Sequence, residues 1–538
     1  MSHYPQQNLR TQPSDATRVA VAVILVSTIA RLILAAGLDY GIDEAYAVSV
    51  GRQFQWSFFD HPPIAFWTAG VMETLTGFDA PHWLIRLPFV LAFSGTSWLI
   101  FALGRRLLGE MAGLWGLVFL TLSPFFFASA GSWIVPDGPV DLFLAASALV
   151  LADILFNEHD PRTTARRWLL MGVLFGLACL SKYHAFLFAA GAVVFIVSTR
   201  HRPQLTRPAP WIAGIIALAI FSPVIWWNAG HGWISIAFQT GRSHVEGGLY
   251  PVHVLQMLAG EAAYLLPWTL VLLISALVRG LATKPKWLNK PGSREKVWFL
   301  ASLSLPATIL FTVLPLFGSR GLPHWPMPGW LFAFPILGAM VAQVVANGSR
   351  WPIWLARGSA ALLALVAVAV IGLTQSGSVA GWLLRTPGMV DGAGIITPLL
   401  NEASDWKGLN AALTERGLGA NAGRFIATPR WFEAARISSA LASEGVKPLP
   451  AVTVFNEDAR GFAFLTDQTT LLGEDAVIIT EPQFALDPAR MLAPYFQRID
   501  EPELITISVA GGIPKTLQVA LAHTLLKPYP LRYGATSR

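Results

Sequence analysis

Apolar stretches long enough to cross a bilayer, or close to it, begin near Val19, Leu87, Ala112, Val140, Trp168, Ala185, Trp211, Val254, Val297, Met327 and Gly358. The pair around Trp168 and Ala185 is short and broken by Ser181-Lys182-Tyr183-His184, which predicts a tight hairpin. The first run, Val19 to Leu38, ends on Ala35-Ala36-Gly37, a small-residue pattern that also closes signal peptides. Many spans follow it and Arg31 interrupts it, so the reading is an uncleaved first transmembrane helix. About eleven spans are expected.

Beyond Leu373 the pattern changes. Charges return, and short β-like runs at Arg424–Ala427, Val452–Phe455 and Ala476–Thr480 alternate with a helical stretch, Trp431–Ala442. Together they predict a small α/β domain of roughly 140 residues. The expected division is a transmembrane module over residues 1–376 and an external α/β domain over 377–538. No internal repeat is visible, which weighs against transporters built from duplicated halves.

Composition agrees. Of 538 residues, 54% are hydrophobic and only 13% charged, too few charges to clothe a soluble protein of this length. The net charge of +6 does not suggest nucleic acid, because the cations fall between apolar segments and not on one face. With the N-terminus inside, inner loops carry Arg105-Arg106, then Arg162, Arg166 and Arg167, then Arg200, Arg202 and Arg207. Later inner loops carry a run from Arg279 to Lys296, then Arg350 and Arg357. Outer loops hold only Arg52, Lys182, Arg242 and Arg320, the bias expected of an odd number of spans. The C-terminal domain is then expected outside. The single cysteine, Cys179, offers no disulfide, and no Cys/His spacing suggests a metal. No cofactor is implied, and a divalent metal is left open.

Polar residues in a membrane protein are costly and therefore informative. Here they gather in the external segments. The first external loop reads Asp39-Tyr40-Gly41-Ile42-Asp43-Glu44-Ala45-Tyr46, then Phe59-Asp60-His61-Pro62-Pro63-Ile64. Its apolar positions predict one interfacial helix after Glu44 and a second from Ile64. Later segments supply Asp137, then Lys182-Tyr183-His184, then Trp227-Asn228 with Arg242, then Arg320 and His324-Trp325. Carboxylates come early and cations with aromatics come late. That arrangement suits displacement at a glycosyl phosphate: a carboxylate takes the acceptor's proton, and cations stabilise the departing phosphate.

The Asp43-Glu44 pair and Asp60-His61-Pro62-Pro63 resemble the first external loop of GT-C glycosyltransferases. The nearest groups are the family 39 protein mannosyltransferases and the 4-amino-arabinose lipid A transferases. Pro136-Asp137, Leu180-Ser181-Lys182, Trp227-Asn228 and His324-Trp325-Pro326 also match, in order, so the resemblance covers most of the first 345 residues. It implies a GT-C fold and a polyprenyl-phosphate sugar donor. It also implies inverting transfer to a hydroxyl of lipid A or core saccharide, another glycan, or a protein. Asp43 would then be the general base and Asp137 a second acidic residue on the acceptor side. Asp60-His61 falls where the lipid A transferases have an acidic residue and a lysine. That leaves Lys182, Arg242 and Arg320 as the permanent phosphate cations, with Glu44, Asp60, His61 and His324 also counted as substrate-binding.

Structural readings compete with these. Asp43 could cap a helix, Lys182 could snorkel to the interface, and Arg320 and His324 could meet lipid headgroups. The alternative function is a transporter or flippase of lipid-linked sugars. It predicts polar groups near the midplane and symmetric halves, neither of which the sequence has.

Overall fold

The structure is a computed structural model. It describes residues 14–242, 247–282, 292–319, 321–376, 378, 402, 405–420, 423–482, 491–509 and 512–534. Among them, eight helices are long and apolar enough to cross a membrane: Asp15–Gly37, His82–Leu108, Asp137–Phe156, Pro161–Ser181, Pro208–Gly230, Ser293–Phe317, Met327–Ala346 and Trp351–Gln375. Two bent pairs, Glu110–Thr121 with Phe125–Ser132 and Pro251–Leu265 with Pro267–Ala282, raise the number to ten. The shorter apolar helix Ala185–Ser198 fills the remaining expected stretch. Each predicted stretch is therefore helical, but three are not full straight spans. The bends, 85° and 104°, fall beside Pro124 and Pro267, where a backbone donor is missing and the preceding residue is pushed out of the helical region.

Both expected helices of the first loop form: α1, Ile42–Gly51, and α2, Ile64–Thr76. They cross backbone to backbone. A side chain built at Gly51 would lie 2.6 Å from the Phe66 carbonyl oxygen, and one at Gly70 would lie 2.2 Å from that of Gly51. Only glycine permits that approach.

The C-terminal segment carries a six-stranded sheet. Strands β1 (Phe425–Thr428), β2 (Val452–Val454) and β3 (Ala476–Thr480) match the runs read from the sequence. They pair in parallel with β1 in the middle, and helix α3, Trp431–Ser443, makes the crossover from β1 to β2. Strands β4 (Phe496–Ile499), β5 (Glu503–Val509) and β6 (Ile513–Leu525) were not foreseen. Strand β6 joins β3 antiparallel and carries β4 and β5.

The sheet and the first loop share one core. Ile426, Val452, Val477 and Ile479 of the sheet, Ala434 and Ile437 of α3, and Tyr46, Val50, Phe58 and Phe66 of the loop form a single apolar cluster. Helix α1 is buried from Glu44 to Gly51, enclosed by protein where an interfacial helix would keep one face open to lipid. Polar clasps hold the two parts. Arg52 grips Glu73 with Nε and Nη2 at 2.9 and 3.0 Å and donates to the Ser438 carbonyl at 3.1 Å. Arg436 donates to the Tyr40 carbonyl at 2.5 Å, and Lys407 pairs with Asp39 at 2.9 Å.

The far end of the bundle is different in character. There Arg106 and Arg167 converge on Asp153, and Arg200 pairs with Glu295 at 3.1 Å.

Candidate active site

Under α3, at the end of the bundle that carries the sheet, lies a cavity of about 530 Å³. Asp43, Glu44, Asp60, His61, Asp137, Lys182 and His324 all line it, so seven of the nine residues singled out from the sequence meet in one place. The remaining two fall outside the description. Arg242 ends the helix Ile234–Arg242 but its side chain is not among the described residues, and neither is Arg320. A larger cleft of about 730 Å³ between Asp15–Gly37 and Trp351–Gln375 has an almost wholly apolar lining.

The neighbouring carboxylates Asp43 and Glu44 have opposite environments. Gly41 is the N-cap of α1, so Asp43 is inside the first turn and is not the capping residue. It is the exposed residue of an otherwise enclosed helix end, and it faces the cavity. Glu44 is 1% exposed and accepts from the Gly41 and Ile134 N–H groups, each at 2.9 Å, and from Arg86 at 2.8 and 2.6 Å. Burial alone would raise its pKa. The Arg86 guanidinium and these hydrogen bonds outweigh that and hold it below the usual carboxylate range. Glu44, expected at the substrate, lines the cavity with both carboxylate oxygens bonded to protein donors.

Asp137 begins the span Asp137–Phe156, and Lys182 is the C-cap of Pro161–Ser181. Their ends meet, with Lys182 Nζ 2.7 Å from Asp137 Oδ1 and both side chains buried. The snorkelling reading of Lys182 fails on this geometry, because a snorkelling ammonium reaches water. Asp60 accepts from the Tyr46 hydroxyl at 3.2 Å, and its backbone carbonyl accepts from Gln239 at 2.5 Å. Burial, and then the Asp60 carboxylate, pushes the Tyr46 hydroxyl well above its ordinary pKa, so it stays a donor.

The sequence reading missed Arg86, Tyr46, Tyr264, Glu402, Trp431 and Arg460. Arg86 is fully buried and also donates to the carbonyls of Ala35, Leu38 and Asp39 at 2.6–2.8 Å, closing the end of the first span. Its signal was present: an arginine at the very start of the second apolar stretch, a costly place for a charge. The others carry no local signal, since Glu402, Trp431 and Arg460 reach the cavity only through the fold of the C-terminal segment. Glu402 accepts from the Ile42 N–H at 3.1 Å, beside Asp43. Burial, and then the Asp43 charge, pushes its pKa up to about 7. Among the described residues, no group of three or more His, Cys, Asp or Glu side chains is arranged to hold a metal ion.

Comparison with known proteins agrees with this architecture. The family of dolichyl-phosphate-mannose-protein mannosyltransferases matches residues 60–227. The lipid A galacturonosyltransferase RgtD of Rhizobium johnstonii is 25% identical over 307 residues, 55% of this chain; the match spans 60% of that relative's length. The crystal structure of ArnT from Cupriavidus metallidurans in the apo state superposes with a TM-score of 0.58, covering 94% of this chain and 98% of that one at 14% identity. The structure of the same protein bound to undecaprenyl phosphate gives 0.59 over the same coverage. The fold is thus shared over nearly the whole length of this chain and of the Cupriavidus protein. The chain is a multi-pass membrane protein with a GT-C fold, and its sequence resembles glycosyltransferases with that fold.

Proposed function

We propose that this protein transfers a sugar from a polyprenyl-phosphate carrier to a hydroxyl of an envelope acceptor, at the outer face of a bacterial inner membrane. One observation carries the reading: an exposed carboxylate, Asp43, faces across a single cavity toward Lys182, His61 and His324, at the end of an apolar bundle. The relatives support it, one being named for lipid A galacturonosyl transfer and another seen with undecaprenyl phosphate.

Asp43 takes the proton of the acceptor hydroxyl as its oxygen attacks the anomeric carbon. The bond from that carbon to the phosphate oxygen breaks, and the carrier leaves as polyprenyl phosphate. A single displacement inverts the anomeric centre. Lys182 shares its charge between Asp137 and the phosphate, where negative charge grows in the transition state. Arg242 and Arg320 are proposed as further phosphate cations. Residues 1–376 form the catalytic module in this reading, and residues 377–538 cover it from outside.

The test is purified protein in lipid with a polyprenyl-phosphate sugar and envelope glycolipid. Release of polyprenyl phosphate with sugar on the acceptor is the expected result. Movement of intact donor across the bilayer without cleavage would replace the transferase by a flippase.

A further inference from the structure

Arg460 comes from the loop after β2, far along the chain from the spans, yet it lines the cavity. Its backbone is left-handed, with φ 46°, a conformation that costs a non-glycine residue energy. The fold holds it there. Its N–H donates to the Tyr533 hydroxyl at 3.2 Å, and the next N–H, of Gly461, donates to the Tyr46 hydroxyl at 3.0 Å. A side chain at Gly461 would come within 2.7 Å of that same hydroxyl, so the loop is pressed onto α1.

The guanidinium is presented in a specific way. Its carbon lies 3.7 Å from the centre of the Trp431 ring, so the aromatic surface takes one face and leaves the edge donors free. The nearest carboxylate oxygens, of Asp60 and Asp458, stand 3.8 and 3.7 Å away. Charge-assisted hydrogen bonds are closer, about 2.7–2.9 Å. Arg460 Nε is buried and makes no hydrogen bond. A guanidinium kept only as the counterion of Asp60 would close that gap.

Resting on the transferase reading, we propose that Arg460 is a specificity residue that reads an oxyanion on the bound substrate through its edge donors. A planar fork of N–H groups matches a carboxylate or phosphate. Two sources fit: a carboxylate on the transferred sugar, or a phosphate on the acceptor. By this placement the external domain takes part in substrate choice as well as covering the cavity.

The experiment measures binding, so it does not depend on turnover. Full-length protein in detergent is melted with polyprenyl-phosphate hexuronate or polyprenyl-phosphate hexose, and separately with phosphorylated or dephosphorylated acceptor glycolipid. In wild type, one anionic ligand of the two pairs should bind at least about tenfold tighter than its neutral partner. That preference should vanish in Arg460→Met, which keeps an apolar contact on Trp431, and persist partly in Arg460→Lys. The pair that shows the effect identifies the source. No preference in either pair in wild type, or a preference that survives Arg460→Met, overturns the proposal. Failure of the transferase reading would show separately, as no release of polyprenyl phosphate.

Discussion

Glu44 and Arg86 bond through both oxygens of the carboxylate, Nε to Oε1 at 2.8 Å and Nη2 to Oε2 at 2.6 Å, with neither side chain reaching solvent. Replacing one member leaves a buried charge without its partner, at about 3–5 kcal/mol. Glu44→Gln should therefore unfold at a clearly lower temperature in detergent, and Arg86→Met likewise. A Glu44→Gln protein that melts like wild type yet transfers no sugar would move Glu44 from anchoring into the chemistry.

Asp43→Asn is the converse case. Asn keeps the shape and a side-chain oxygen but cannot take a proton, a function that contributes about 10²–10⁴-fold. The expected variant melts like wild type, binds donor, and transfers at least about a hundredfold more slowly at saturating donor. Near-normal turnover would transfer the role of base to Asp137.

Lys182 and Asp137 should behave as one unit. Lys182→Met strands a buried carboxylate and removes the proposed phosphate contact, so both stability and kcat/KM for donor should fall. Adding Asp137→Asn removes the stranded charge, and the double variant should regain stability with a coupling of about 0.5–3 kcal/mol. Strict additivity of the two melting shifts would show that the ion pair is not formed.

Glu402 and pH give a further prediction. Its pKa is raised to about 7 from an ordinary 4.5, so between those values the folded state holds a proton that the unfolded state has lost. Stability then declines as pH rises from about 4.5 through about 7 and flattens above. The buried Glu433 of α3, also raised to about 7, acts in the same direction. Glu402→Gln should flatten part of the decline in melting temperature between pH 5 and about 7.5, leaving the share of Glu433. An unchanged slope would remove Glu402 from its half-buried position beside Asp43.

Orientation is tested with accessibility tags. A tag between Lys284 and Lys296 should report the cytoplasm, and one at the C-terminus the outside. A cytoplasmic C-terminus would overturn the odd span count and the proposed side of the active site.

Much was legible because a bilayer imposes its demands locally. Each apolar stretch from Val19 to Gly358 is a helix, because an unpaired backbone group in hydrocarbon costs several kcal/mol whatever the partners. Asp43, Asp60, His61, Asp137, Lys182 and His324 stood out because polar residues crowd the loops at one side of those stretches, and they line one cavity. The opposite environments of Asp43 and Glu44 were not legible. Adjacent carboxylates look alike in sequence, and only the partner 42 positions away, Arg86, distinguishes them. Likewise Glu402, Trp431 and Arg460 enter the site because the sheet and α3 share a core with the first-loop helices. Which side chains meet across such a core depends on long-range packing of Tyr46, Val50 and Ile437, and no local periodicity records it. The sequence by itself located the apolar helices and the loops in which the polar residues gather. Only the tertiary structure decided that Glu44 is buried against Arg86 while its neighbour Asp43 is exposed at the cavity.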